Sequence, residues 1–94
     1  MAHSVALSWI ASLDTVAGYN VYRGTNPPGG EGATHINAAL ITGLTYTDTA
    51  VFAGENVDYV VTAVSSVGVE SVHSNEVSAT IPIFPPTGLL AVAS

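Results

Sequence analysis

The chain has 94 residues, no cysteine, and a single Lys or Arg, Arg23. Without cysteine there is neither a disulfide framework nor a thiolate to act as nucleophile or metal ligand, and redox compartment stays open. With one cation against seven Asp and Glu the formal charge is −6. No basic stripe exists to neutralise phosphates, so neither nucleic acid nor an anionic membrane surface is an expected partner. The missing lysine also excludes a Lys–Asn isopeptide crosslink. Long apolar runs are absent, which argues against a membrane-spanning helix and membrane insertion. The opening MAHSVALSW lacks the charged region and small-residue cleavage site of a secretory signal, so an export signal is expected to belong to a larger parent.

What remains is an apolar chain: 48% of its residues are hydrophobic and 9% charged. That balance excludes a disordered tail and gives one domain with a core just large enough to fold alone. No room is left for a catalytic domain beside it. Apolar residues nowhere hold helical spacing over three turns, whereas period-2 runs recur between turn residues. In HSVALSWI, Val5, Leu7 and Trp9 share one face; in GYNVYRGT, Tyr19 and Val21 alternate with Asn20 and Tyr22. The Pro/Gly stretch NPPGGEGA, residues 26–33, cannot continue a ladder, and a short strand is expected at 34–37. Tyr46 lies in a short strand within TYTDT, and Ala53-Gly54 forms a turn. Val57, Tyr59, Val61 and Ala63 then make the inward face of the next strand, Gly68 marks a loop, and Val77, Ala79 and Ile81 line the last strand. Short strands with turn signals every eight to twelve residues describe an all-β, two-sheet sandwich.

The segments SWIAS, GYNVYRGT, TGLTYTDTAV, YVVTAVSSVGVES and SNEVSATIP carry a family resemblance over nearly the whole chain. Together they resemble a bacterial fibronectin type III domain. The resemblance implies strands A, B and E facing C′, C, F and G, with Trp9, Tyr19, Val21, Tyr46, Tyr59 and Val61 in the shared core. It implies no fixed activity, since such modules serve as spacers, adhesion units and accessories of secreted polysaccharide-degrading enzymes. Extracellular or cell-surface location follows from it alone. The position that usually carries a tyrosine corner, two residues before Tyr59, is Val57, so that corner bond is expected to be missing and the turn before it less rigid.

A second departure concerns strand A. The chain opens on the Trp9 strand, and PPTGLLAVAS, residues 85–94, reads as the first strand of another copy. The expected organisation is a sandwich over residues 1–81 lacking its own strand A, a Pro-rich linker at 82–86 and a donated strand at 87–94. The linker would have to span roughly 25 Å to bring the strand back onto its own body, whereas five extended residues reach about 17 Å. Donation to a head-to-tail neighbour is the expected outcome, a heterologous contact that builds chains of subunits. Its interface would comprise Ile83, Phe84, Pro86, Leu89, Leu90, Ala91, Val92 and Ala93 against Val5 and Leu7, with self as the partner. Burial of one Leu contributes roughly 1.5–3 kcal/mol, against about 4–15 kcal/mol for lost rigid-body freedom. The alternative is a monomeric spacer or carbohydrate-binding accessory of a larger secreted protein.

Chemical sites are sparse. His3, His35 and His73 are read as surface histidines, placed in an N-terminal extension, near C′ and in strand G, without zinc-site spacing. Asp48, Glu55, Asp58 and Glu70 are read as solvated turn carboxylates, with no calcium-loop pattern among them. Ser71, His73 and Ser74 supply triad atom types without a nucleophile elbow or an oxyanion arrangement. The glycines of 26–33 lack the context of a phosphate cradle, and Arg23 ends a strand. No catalytic, cofactor or metal site is expected. Tyr22, Phe52 and Phe84 are the aromatics expected to be partly exposed and able to stack on sugar rings, against a reading in which Phe52 plugs a turn and Phe84, with Ile83, covers a junction between subunits.

Overall fold

The computed structural model describes residues 3–25 and 35–93. Five strands occur in the order β1 (His3–Ser8), β2 (Gly18–Thr25), β3 (Thr45–Val51), β4 (Asn56–Val64) and β5 (Val77–Thr80), and no helix occurs among the described residues. β1 pairs antiparallel with β3 in one sheet, and β2, β4 and β5 form the other in the order β2-β4-β5. The NPPGGEGA turn and Thr34 lie outside the described residues. Residues 35–37 are not a strand. In place of a C′ ladder, Ile36 donates to the Val21 carbonyl at 2.8 Å and the Asn37 side chain accepts from the Val21 amide at 2.9 Å. Asn37 also donates to Asn20 Oδ1 and to the Ala39 carbonyl, at 2.9 and 3.0 Å. An amide side chain can thus satisfy a strand edge that has no regular ladder partner at this point.

Between the sheets lie Val21, Val51, Val57, Tyr59 and Ile81, with Val5, Leu7, Trp9, Tyr46 and Val61 packed against them. Tyr19 is buried too and meets Trp9 edge-on at 5.6 Å. The outer face of β2-β4 is also covered: Asn20, Tyr22, Asp58, Val60 and Thr62 are all buried. The cover comes from the segment after β4, which turns at Gly68 (φ +85°). Glu70 accepts hydrogen bonds from the Tyr22 and Thr62 hydroxyls, and the His73 ring lies 5.6 Å from that of Tyr22. Tyr22 is therefore a buried residue and not an exposed platform, and Glu70 is a bound carboxylate. His73 lies in the segment before the last strand rather than within it.

That segment also explains Ser71 and Ser74. The Ser71 amide donates to the Ala63 carbonyl and the Ser74 amide to that of Val61, at 2.8 and 2.9 Å. Each hydroxyl in turn accepts the amide of the same β4 residue at 2.9 Å. Three residues of the segment thereby match two of β4, and serine oxygens stand where a regular strand would present carbonyls.

The two sheets differ in width. Three strands face two, and the outer edge of β1 has no neighbour among the described residues. Val77 on β5, expected to face inward, is 45% exposed. Residues 82–93 form no strand here. Phe84 still stacks on His3 of β1, whereas Leu89, Leu90 and Val92 are almost fully exposed; the molecule is 73 Å long and about 25 Å across.

Candidate functional site

Two features carry the chemistry of this chain: a buried ionic cluster between the sheets and an open groove beside Trp9. The cluster begins in β3, where Tyr46 and Asp48 are two residues apart and hence on one face. Asp48 is 3% exposed. Arg23 from β2 reaches across with Nη1 2.9 and 2.8 Å from the two Asp48 oxygens. The Tyr59 hydroxyl donates to Oδ2 at 2.7 Å and the Ala50 amide to Oδ1 at 3.0 Å. Burial by itself pushes the Asp48 carboxyl up, but the bonds from Arg23, Tyr59 and Ala50 outweigh it and hold its pKa below the ordinary value. Burial and then the Asp48 bond push Tyr59 well above the usual tyrosine range. Asp48 is thus not a solvated turn carboxylate, and Arg23 does more than end its strand. Asp58 is likewise buried, and it accepts a bond from the Ser78 hydroxyl. Glu55, at the turn into β4, accepts the Phe52 amide. Each of these groups has a structural partner, and no cluster of three metal-ligating side chains occurs among the described residues.

Val57 cannot make the tyrosine-corner bond, and the Tyr59–Asp48 bond ties β4 to the opposite sheet instead. Phe52 is 72% exposed, so it does not plug the turn before β4. Gly54 makes that turn at φ +80°, a conformation glycine adopts without strain, and it bonds back to the Ile81 carbonyl at 2.8 Å.

The groove lies where the wider sheet overhangs the narrower one. Leu7 and Trp9 form one wall, and Val61, Ser74 and Val77 the other. Around Trp9, Tyr19 and Ser71 it opens to about 180 Å³. The Trp9 indole N–H is buried in the groove wall with no hydrogen-bond partner among the described residues. Such a donor is costly to leave unmade.

The expected interface residues fall into two separated groups. Val5 and Leu7 are half-buried on β1, beside the groove. Ile83, Leu89, Leu90 and Val92 are exposed on the projecting segment, as are Pro86, Ala91 and Ala93. Phe84 is half exposed and stacks on His3 at 4.0 Å. His3 is thus the first residue of β1 and not part of a loose extension. Sequence reasoning missed the orphaned Trp9 donor, which no local pattern signals because it depends on what lies across the sheet.

No family model matches the chain. Over 81 residues, 86% of its length, it is 44% identical to the amylopullulanase of Thermoanaerobacter thermohydrosulfuricus, of which it spans 5%. The crystal structure of an Fn3-like protein from Clostridium thermocellum superposes with a TM-score of 0.71 at 38% identity, covering 90% of this chain and 83% of that one. With two antiparallel sheets in this strand order and that degree of identity across most of both chains, the protein belongs to the fibronectin type III-like family.

Proposed function

We propose that the chain is a non-catalytic structural module of a larger exported, polysaccharide-degrading bacterial protein. The observation that carries this reading is the 44% identity to a stretch amounting to 5% of an amylopullulanase: a domain of this size within so large an enzyme is an accessory to its chemistry. The engagement of Asp48 and Glu70 in structural bonds agrees with it. Polysaccharide contact at Phe52, an exposed aromatic, is the binding mode such a module would use. The test is a pair of assays on starch-type glucan. Purified chain is expected to pellet with the insoluble polymer or to stay in solution as a plain spacer, and to release no reducing sugar in either case. Sugar release that follows the protein through purification would overturn the reading.

A second reading, head-to-tail self-association by strand addition, is favoured by one observation. The open edge of β1 and the exposed apolar residues Leu89, Leu90 and Val92 occur in the same chain. Between successive repeats of a parent protein the same contact would be made along one polypeptide; between separate chains it would build a filament.

A further inference from the structure

We propose that residues 81–84 are a latch that crosses one end of the sandwich and fixes the direction in which the rest of the C-terminal segment leaves the body. The inference deepens the structural-module reading and rests on it for its use: a module that sets a bearing is a directional spacer, whereas a loose tail only tethers. β5 ends at Thr80 in the three-stranded sheet. Ile81, the next residue, is buried and is stitched to the turn before β4: its amide donates to the Glu55 carbonyl and its carbonyl accepts from the Gly54 amide, both at 2.8 Å. Two residues on, Ile83 rests on the same turn, with its Cδ1 3.7 Å from the place a Cβ on Gly54 would take.

Phe84 reaches the other sheet. Its ring stacks on that of His3 with centroids 4.0 Å apart and planes 23° from parallel, and His3 is held in β1 opposite Val51 of β3. The segment is therefore anchored to both sheets within residues 81–84. A chain fixed at one point swivels about it, whereas one fixed to two sheets does not. The anchors are apolar or aromatic, and no charged residue occurs after Glu76, so salt is not expected to loosen them.

The prolines carry that bearing outward. Pro82 lies between the anchors Ile81 and Ile83, and Pro85 and Pro86 follow Phe84 directly. Each ring holds φ at about −65°, and proline-rich segments act as semi-rigid spacers. Past them the backbone reaches Gly88 at φ +74°, where the conformational freedom of glycine makes a joint. Direction is thus fixed from β5 to Pro86. Gly88 is the hinge beyond which the exposed Leu89, Leu90 and Val92 are displayed.

The chain has no cysteine, so two introduced cysteines can be spin-labelled without interference. Ser66→Cys lies in the turn that closes at Gly68 beyond β4, and Thr87→Cys just after the prolines; both positions are exposed. The distance between the labels is measured by pulsed double electron resonance in the full-length chain, diluted with unlabelled chain so that only pairs within one molecule are read. A single narrow distribution is expected. Phe84→Ala and His3→Ala should each broaden it about twofold, with an unchanged urea midpoint showing that the body is intact. Phe84 lies outside every strand, so its truncation frees the tail without touching a ladder. A broad distribution with His3 and Phe84 in place would overturn the latch and leave a non-catalytic module with a loose tether. A narrow one that neither substitution widens would overturn it too, since the prolines alone would then set the direction.

Discussion

The Tyr59 hydroxyl donates to Asp48 Oδ2 at 2.7 Å and so joins β4 of one sheet to β3 of the other. Arg23 completes the cluster with an ion pair at 2.8 Å. Because Asp48 is buried, removing a partner leaves a carboxylate that water cannot reach. Tyr59→Phe should destabilise the fold by about 1–3 kcal/mol. Arg23→Ala should cost about 3 kcal/mol or more, since it strands a buried charge. Urea unfolding of the two variants checks both; an unchanged midpoint for Arg23→Ala would show that the pair adds nothing.

The pH dependence follows from the same groups. Asp48 titrates below its ordinary value in the folded state, as does Glu70, held down by bonds from Thr62 and then Tyr22. Their contribution is fully present above the unfolded carboxylate value of about 4. It is lost as pH falls through the lower folded values. Tyr59 is raised, chiefly by burial, and Tyr22 by its bond to Glu70. Their contribution is present below about pH 10 and is lost as pH rises through the folded values. Stability measured across pH should therefore form a plateau with an acid and an alkaline shoulder, and Asp48→Asn should flatten the acid one.

Gly18 opens β2 against the segment before β3. A Cβ there would lie 2.6 Å from the Ile41 carbonyl oxygen and 2.6 Å from Leu40 Cγ, while Tyr19 and Ile41 exchange backbone bonds at 2.8 and 3.0 Å. The backbone oxygen cannot give way without breaking that bridge. Gly18→Ala should cost about 1–3 kcal/mol, read as a lowered thermal midpoint, whereas Gly43→Ala, with open space around it, should be neutral.

The strands were legible in the sequence because they show period-2 alternation and, except for β1, are followed within a few residues by Gly, Pro or Asn, and Val21, Val57 and Tyr59 stand on the faces that alternation assigns them. What alternation could not show is cover from elsewhere in the chain. Tyr22 is on the outward face of β2, yet the Glu70 segment lies over it. Asp48 reads as a turn carboxylate by composition, although its spacing from Tyr46 puts it on the inward face, and the single cation in so acidic a chain was the signal for its partner. Phe52 was assigned to a turn that Gly54 makes without it. The groove was the least legible feature, because it arises from a width difference between two sheets and from no run of residues.

The most direct test of strand addition on β1 is residue-resolved hydrogen exchange of the full-length chain at low and high concentration. Val5 to Ser8 and Leu89 to Ala93 should gain protection together over one concentration range, as two strands that enter a common ladder must. Fast exchange of residues 89–93 at every concentration would contradict it and leave β1 an open edge.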